Sequence, residues 1–190
     1  MTVIGFVRHG VTAWNKERRA QGSSDIPLDL DGVEMAHRIA ERLSGETWDI
    51  IFTSPLVRAR KTAELIALRK ENIDLVVDSR LGETGGGQIE GTTEAERILK
   101  WGASWNSLDL GRESNEQVLS RGLNFIDEIG QTYSDEKVLV VSHGSFIRKL
   151  IKALVPEDDL DEALANTSIT IIQLNEGGNH CIVHNCTKHL

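Results

Sequence analysis

Residues 3–10 read VIGFVRHG, an apolar run that ends in a polar tripeptide. A short apolar run of this kind predicts a strand that is buried on both faces of a sheet. The pattern returns at residues 49–55 (DIIFTSP) and again at residues 138–144 (VLVVSHG). The sequence therefore predicts at least three buried strands, each of which delivers polar or turn-forming residues at its carboxyl end.

Helical periodicity separates these strands. Ser54 and Pro55 predict the N-cap and first residue of a helix, and the pairs Thr93/Glu96 and Ser114/Gln117 predict capping boxes. The remaining predicted elements are a helix over residues 33–43, a strand over 75–78, a helix from 144 to about 154, a short helix over 156–165, and a hairpin of 169–174 with 181–184. This alternation predicts an α/β fold: a three-layer α/β/α sandwich whose sheet is mostly parallel, with an antiparallel edge hairpin.

Composition narrows the class of protein. The 190 residues carry a formal net charge of −8, with 39% hydrophobic and 26% charged residues, which is typical of a one-domain globular chain. The acidic balance argues against a nucleic-acid-binding protein, no apolar run is long enough to cross a membrane, and the N-terminus does not resemble a signal peptide. We therefore expect a single domain over residues 1–190, located in the cytoplasm, with no nucleic-acid or membrane partner.

Two arginines and two histidines are expected at one edge of the sheet. Arg8 and His9 follow the first strand, His143 follows a later strand, and Arg58 lies in the first turn of the helix after residues 49–55. Ligands of such sheets bind beyond the carboxyl ends of the strands, and helix N-termini with arginine forks favour anions, phosphate above all. A positive pocket on an acidic protein predicts a small anionic substrate, because the surrounding surface repels a polyanion.

Histidine in a phosphate pocket suggests phosphoryl transfer. A neutral imidazole can act as a nucleophile, while neighbouring arginines keep its pKa low and neutralise charge in the transition state. The leaving alcohol then needs a proton, which a carboxylic acid crowded by the substrate phosphate can supply. Glu83, shortly after the strand over residues 75–78, is the candidate acid.

Five blocks of this sequence resemble the signatures of the histidine phosphatase superfamily, which has the phosphoglycerate mutase-like fold. The first two read VRHGVTAWN at residues 7–15 and TSPLVRA at residues 53–59, and the last reads SHG at residues 142–144. Between them, Leu81 with Glu83 resembles the third block, and Glu113-Ser114 with Val118 and Arg121 resembles the fourth. The blocks follow the order of the superfamily along the chain.

The resemblance implies a role for each residue of the pocket. His9 is implied as the phosphohistidine nucleophile, and Glu83 as the proton donor that later activates water. Arg8, Arg58 and His143 are implied as phosphate ligands. The remaining residues implied to line the pocket are Asn15, Gln21, Gly22 and Gly144, the last through its backbone N–H. The reaction that this implies needs no metal ion and no cofactor.

The segment between Glu83 and His143 bears on three hypotheses. It spans sixty positions, 83 to 143, whereas the mutases of the superfamily carry a longer insertion there. The shorter segment favours a phosphatase that hydrolyses small phosphate monoesters, and its substrate would be a small phosphorylated metabolite. The segment would form a short cap over about residues 92–113. The alternatives are a phosphoglycerate mutase and a catalytically silent phosphate-binding module. Within the cap, Trp101 and Trp105 either share a helix face over the pocket or pack against the core.

Two further clusters have competing interpretations. Lys16, Arg18 and Arg19 either bind a second charge of the substrate or are solvated loop residues. The C-terminal cluster contains residue types that bind metals, but its spacing matches no common zinc pattern, so we predict no metal site there. It consists of His180, Cys181, His184, Cys186 and His189.

Overall fold

The computed structural model describes residues 1–158, 160–175 and 177–190. Within these ranges the strands are β1 (Thr2–Arg8), β2 (Ile50–Thr53), β3 (Asp74–Val77), β4 (Lys137–Ser142), β5 (Ile169–Leu174) and β6 (His180–Cys186). The α-helices are α1 (Ala13–Lys16), α2 (Leu30–Ser44), α3 (Val57–Ala67), α4 (Glu94–Trp101), α5 (Asn115–Thr132) and α6 (Gly144–Leu154). No helix in the described part of the chain is both long and apolar enough to span a bilayer.

All six strands form one sheet in the order β3-β2-β4-β1-β5-β6. Strands β1, β2, β3 and β4 are parallel to one another. Strand β5 is antiparallel to β1, and β6 is antiparallel to β5. Arg8 lies in register with Ser142, and Thr53 lies in register with Val141. The three central strands therefore end side by side, and the predicted mostly parallel sheet with an antiparallel edge hairpin is confirmed.

Helices cover both faces of this sheet. Along β4, Val138 and Val140 pack into a core with α5 and α6, while the alternate residues Leu139 and Val141 pack into a second core with α2 and α3. All four side chains are fully buried, as expected for a parallel strand covered on both faces. The predicted three-layer α/β/α sandwich is confirmed.

The helix starts follow the predictions at two places and depart from them at one. Thr93 and Ser114 each form the predicted capping box, at the starts of α4 and α5. The prediction that Ser54 and Pro55 begin a helix is wrong, because α3 starts at Val57 and its N-cap residue makes no side-chain cap. The carboxylate of Asp25 instead accepts a hydrogen bond from the Val57 N–H at 2.6 Å. A residue far away in the sequence thus caps α3.

The predicted short helix over residues 156–165 is also wrong. The described residues of this segment, 156–158 and 160–165, form turns and extended chain, and Asp159 lies outside the described residues. The backbone groups of the segment are engaged elsewhere: the Ala165 N–H donates to Asn185 Oδ1 at 2.9 Å, and the Leu164 carbonyl accepts from the Arg8 guanidinium. These bonds to distant side chains replace the bonds of a helix.

Candidate active site

The carboxyl ends of β1, β2 and β4 meet at a small cavity of about 280 Å³. Arg8 ends β1, His9 follows it, and α3 delivers Arg58 from its first turn. The sequence-predicted residues that line this cavity, called the phosphate pocket below, are Arg8, His9, Asn15, Gln21, Gly22, Arg58, Glu83 and Gly144. His143 lies directly against His9, with the two ring centroids 5.2 Å apart. The predicted residues are therefore brought together.

His9 is held with one ring nitrogen occupied. The residue is 2% exposed, and its Nδ1 lies 2.6 Å from the carbonyl oxygen of Gly10. A carbonyl only accepts hydrogen bonds, so Nδ1 carries the proton and Nε2 keeps its lone pair. No group of the described residues donates to Nε2, which leaves that nitrogen available to a ligand in the phosphate pocket.

The backbone beside His9 is fixed by residues near the C-terminus. Thr167 N–H donates to the carbonyl oxygens of Arg8 and His9, and Arg8 N–H donates to the carbonyl of Ser168. The Asn166 side chain adds a hydrogen bond to the His9 carbonyl at 3.0 Å. The chain between β1 and α1 is thus locked against the start of β5.

The pocket contains cationic side chains whose hydrogen bonding is incomplete. Arg58 is fully buried and donates to the carbonyls of Gly22 at 2.9 Å and Ser24 at 2.7 Å. Within the described part of the chain, the buried Nε atoms of Arg58 and Arg8 and the buried Nδ1 of His143 have no hydrogen-bond partner. Buried donors without partners are costly, and an oxyanion in this pocket is the kind of ligand that satisfies the two guanidinium groups.

Burial and neighbouring positive charge both lower the pKa values of the two histidines. Burial, reinforced by the Arg8 and Arg58 guanidinium groups, holds the pKa of His9 well below its usual range. The pKa of His143 is lowered in the same way, first by burial and then by its charged neighbours. Its Nε2 lies 2.7 Å from the Ser54 hydroxyl. Both rings are therefore neutral near pH 7, and His9 has the protonation state of a nucleophile.

Glu83 lies at the amino end of α6. Its Oε1 accepts from the backbone N–H groups of Thr84 at 2.7 Å and Phe146 at 2.9 Å, and its Oε2 accepts from Ser145 at 3.2 Å. The N-cap residue of α6, His143, makes no side-chain cap, so a loop carboxylate caps this helix instead. Glu83 also borders the phosphate pocket, which brings a carboxyl group next to the predicted phosphate position.

Asn15 and Gln21 present their amide N–H groups to the pocket. The Asn15 side-chain oxygen accepts from Thr12 N–H at 3.1 Å, and the Gln21 side-chain oxygen accepts from the Thr12 hydroxyl at 3.0 Å. The amide oxygens are thus engaged, and no described residue accepts from the two NH₂ groups. Those groups, like the N–H of Gly144 in the first turn of α6, are available as donors to an anion.

Gly22 is needed for its backbone shape. Its φ is +50°, a conformation that favours glycine, and a Cβ at this position would collide with the Glu90 carboxylate. The Glu90 side chain holds this turn by accepting from Ser23 N–H at 2.8 Å and Gly86 N–H at 2.9 Å. Gly22 thereby places its carbonyl against Arg58.

Sequence reasoning missed the supporting role of two residues. Ser54, predicted as a helix cap, contacts His143. Arg121, which belongs to the fourth block, pairs through Nε with Glu113 at 2.7 Å and donates to the backbone carbonyls of Gly82 at 2.8 Å and Glu83 at 3.1 Å. Arg121 lies inside α5, where the neighbouring residues carry no signal of this contact, and only its position within the fourth block pointed to it.

The two tryptophans of the cap do not act together. α4 ends at Trp101, Gly102 follows with a φ of +84°, and Trp105 lies in a separate 3₁₀ turn. The prediction that the two tryptophans share a helix face is therefore wrong. Trp105 donates to Glu94 at 2.8 Å and stacks under Arg97, with 4.7 Å from the guanidinium carbon to the ring centroid. Both side chains are half-buried within the cap, away from the phosphate pocket and from both cores.

Two of the three basic residues near the pocket mouth are paired with acids, and the third, Arg18, is exposed. Lys16 contacts Asp29 and Asp31, each at 2.6 Å. Arg19 borders the pocket but donates to Glu17 and Glu96, each at 2.7 Å. Arg148 also borders the pocket, with its Nε 3.7 Å from Asp161. Arg8 and Arg58, by contrast, have no ion pair with any carboxylate of the described residues.

The C-terminal cluster does not form a cage of metal ligands. Across residues 1–158, 160–175 and 177–190, no three His, Cys, Asp or Glu side chains are grouped as metal ligands. His189 contacts the Thr167 hydroxyl at 3.1 Å, Cys186 Sγ lies 3.3 Å from the Arg42 guanidinium, and His184 lies 3.3 Å from Glu162. The cluster is instead divided among neighbouring loops and helices.

This arrangement is suited to bringing a tetrahedral oxyanion to a histidine nitrogen. The donors surround the position that the free Nε2 of His9 faces, and one carboxyl group lies at the same rim. Such a set can neutralise the equatorial oxygens of a phosphoryl group while the imidazole approaches phosphorus.

Comparison with known proteins shows the family. The family model of the histidine phosphatase superfamily (branch 1) matches residues 4–187 of this chain. Phosphoglycerate mutase-like protein 4 of Arabidopsis thaliana is 33% identical over 184 residues, covering 92% of this chain and 80% of that protein. Phosphoserine phosphatase 1 of Hydrogenobacter thermophilus is 31% identical over 202 residues, covering 100% and 95%. The solved structure of Bacillus stearothermophilus YhfR aligns with a TM-score of 0.88 at 32% identity, covering 100% of this chain and 99% of that one. The chain therefore belongs to the histidine phosphatase superfamily, and its relatives include both phosphatases and phosphoglycerate mutase-like proteins.

Proposed function

We propose that this protein is a phosphatase that hydrolyses small phosphate monoesters without a metal ion, through a phosphohistidine intermediate at His9. The observation that carries the proposal is the free Nε2 of a buried, neutral imidazole that borders a pocket in which the Nε atoms of Arg8 and Arg58 have no partner among the described residues. Arg8 and Arg58 supply the positive charge that a phosphoryl group needs, so this chemistry works with the chain's own residues.

In the first step, the Nε2 lone pair of His9 attacks phosphorus. An N–P bond forms while the bond from phosphorus to the ester oxygen breaks, and Glu83 transfers its proton to the departing alkoxide. The proposed acid form of Glu83 is regenerated in the second step, in which the carboxylate takes a proton from water. Arg8, Arg58 and His143 hold the three equatorial oxygens, with Asn15, Gln21, Gly22 and Gly144 lining the pocket around them.

In the second step, water hydrolyses the phosphohistidine. Glu83, now a carboxylate, takes a proton from the water as its oxygen bonds to phosphorus and the N–P bond breaks. Inorganic phosphate leaves, and His9 returns to its neutral form. The hydrogen bond from Nδ1 to the Gly10 carbonyl stabilises the positive charge that the ring carries between the two steps.

The size and surroundings of the pocket support a small phosphorylated metabolite as the substrate. The phosphate pocket has about 280 Å³, which is close to the lower end of small-molecule sites. The net charge of −8 disfavours a polyanionic substrate. Relatives named as phosphatases support hydrolysis, and a relative named as mutase-like makes a phosphoglycerate mutase the second candidate.

A rapid-quench experiment with ³²P-labelled p-nitrophenyl phosphate tests the proposal. The wild-type protein should release nitrophenolate and form an acid-labile, base-stable phosphoprotein. His9→Ala should abolish both, because no nucleophile remains. Glu83→Gln should still show a burst of one nitrophenolate per active site, since this leaving group needs no proton. The phosphoprotein should then accumulate, because water is no longer activated.

The other hypotheses predict different results with these variants and with other phosphate esters. Wild-type-like turnover in His9→Ala contradicts the mechanism. A mutase converts 3-phosphoglycerate to 2-phosphoglycerate with little free phosphate. A silent binding module binds phosphate esters tightly and releases no phosphate from any of a broad panel.

A further inference from the structure

A buried hydroxyl group contacts His143, the second histidine of the site. Ser54 follows β2 and is fully buried, and its Oγ lies 2.7 Å from Nε2 of His143. The same oxygen accepts a hydrogen bond from the Leu56 N–H at 3.2 Å. Ser54 therefore links the backbone just before α3 to the imidazole ring that follows β4.

The hydroxyl proton of Ser54 decides the direction of its hydrogen bond with His143. A hydroxyl group donates one proton and accepts through its lone pairs. The Leu56 N–H uses a lone pair, and the described part of the chain offers the hydroxyl proton no acceptor other than the His143 ring nitrogen. A buried donor without an acceptor is costly. Ser54 therefore donates, and Nε2 of His143 accepts.

A neutral imidazole that accepts at Nε2 carries its proton at Nδ1. The His143 ring is neutral near pH 7, because burial and its charged neighbours hold its pKa well below the usual range. Its Nδ1 is buried and has no hydrogen-bond partner among the described residues. His143 therefore keeps an unused N–H donor on a ring whose centroid lies 5.2 Å from that of His9.

The two histidines of the site leave different groups free. His9 donates from Nδ1 to the Gly10 carbonyl and keeps an unprotonated Nε2, whereas His143 accepts at Nε2 and keeps a protonated Nδ1. A lone pair suits attack on phosphorus, and an N–H suits a charged phosphoryl oxygen. In the other tautomer, His143 would present a lone pair to that oxygen, which repels it.

We propose that Ser54 is a positioning residue that holds His143 in the Nδ1–H tautomer, so that this ring donates a hydrogen bond to the phosphoryl group during transfer. The inference rests on the proposed phosphatase function, because it takes His143 to bind a phosphoryl oxygen. Ser54 does not itself line the phosphate pocket, so it acts on the reaction through His143.

The tautomer is measured by NMR on protein labelled with ¹⁵N in its histidine rings. Long-range ¹H–¹⁵N spectra at neutral pH distinguish protonated from unprotonated ring nitrogens, and the set of signals that disappears in His143→Asn belongs to His143. The wild type should show a protonated Nδ1 and an unprotonated Nε2. Ser54→Ala should move the proton wholly or partly to Nε2, because the donor to that nitrogen has gone.

The change of tautomer should also slow catalysis. For Ser54→Ala, kcat/KM for p-nitrophenyl phosphate should fall by about 10- to 100-fold, as when a residue that orients a functional imidazole is removed. Inhibition by vanadate, which mimics the transition state, should weaken by a similar factor. Ser54→Thr, which keeps the hydroxyl group, should retain the Nδ1–H tautomer and most of the activity.

Thr53→Val is the matched control. Thr53 is the neighbouring residue and is also fully buried, and its hydroxyl donates to the backbone carbonyls of Ser54 at 3.3 Å and Val141 at 3.4 Å. The substitution keeps the shape and removes a buried hydroxyl without removing the partner of His143. The His143 tautomer and kcat/KM should both stay unchanged.

Each other outcome has a definite meaning. A wild-type His143 ring with its proton on Nε2 overturns the inference, and this measurement decides the question even if Ser54→Ala does not fold. Lower activity in Ser54→Ala with an unchanged tautomer overturns it in favour of a structural role, and a changed tautomer with wild-type kcat/KM overturns the effect on catalysis. No phosphate release from any ester by the wild type overturns the proposed function itself, whichever tautomer the spectra show.

Discussion

Arg58 and Arg121 both hold loops around the same pocket. They differ in whether the N–H groups of their guanidinium groups all have hydrogen-bond partners. Arg121 donates to the Glu113 carboxylate and to backbone carbonyls, and its charge is paired. Arg58 donates only to the carbonyls of Gly22 and Ser24 and keeps a buried Nε without a partner among the described residues. The saturated arginine is suited to hold structure, whereas the unsaturated one is suited to bind a ligand.

The largest effect should come from Arg58. Arg58→Met should lower kcat/KM for p-nitrophenyl phosphate by about 1,000-fold, as when one transition-state donor is removed. The free energy of unfolding should change by less than about 1 kcal/mol, because relief from burying an unpaired charge offsets the two lost hydrogen bonds. Steady-state kinetics and urea unfolding of the same preparation measure both quantities. A large loss of stability with a small loss of activity would place Arg58 with Arg121 as a structural residue.

Replacing Arg121 should have a large effect on stability and a small effect on activity. Arg121→Met should lower the free energy of unfolding by about 3 kcal/mol, because Glu113 and several loop carbonyls lose their donor in a largely buried site. Activity should fall by only about ten-fold, through misplacement of Glu83. Urea unfolding and the dependence of kcat on leaving-group pKa test this. The comparison with Arg58 fails if kcat drops as far as in Arg58→Met while the stability is unchanged.

The smallest effect concerns pH and the two buried histidines. An unfolded chain protonates them below about pH 6.5, whereas the folded chain holds their pKa values well below that. Between those two values the unfolded state binds more protons, so stability should fall as the pH drops below about 6.5, by at most about 1.4 kcal/mol per pH unit for each histidine.

Urea unfolding between pH 7.5 and pH 5 measures this slope. His143→Asn should make the slope shallower, and His37→Asn, which changes an exposed residue of α2, should not. An unchanged slope in His143→Asn would show that this ring is not held neutral.

The parts of the fold that the sequence predicts are those with local causes. The strands follow from apolar runs, and the caps at Thr93 and Ser114 follow from residues three positions apart. The grouping of Arg8, Arg58 and His143 around His9 follows because parallel strands end at one edge.

The errors arise where the partner is distant in the sequence. α3 is capped by Asp25 and not by Ser54, and the segment around Leu164 gives its carbonyl to Arg8. The separation of Trp101 from Trp105 has instead a local cause, because the helix ends at Gly102 in a left-handed conformation that favours glycine. Local spacing contains no information about the partners of α3 and of Leu164.

The hydrogen bonds from Asn166 and Thr167 to the backbone of Arg8 and His9 have a consequence for synthesis of the protein. The groups that fix the backbone of the nucleophile lie at positions 166 and 167, so they are synthesised more than 150 residues after His9. A nascent chain that stops before residue 164 contains every proposed reacting group but lacks these anchors. We expect such a chain to have no phosphatase activity, so that phosphoryl chemistry begins only after this distant segment has been added.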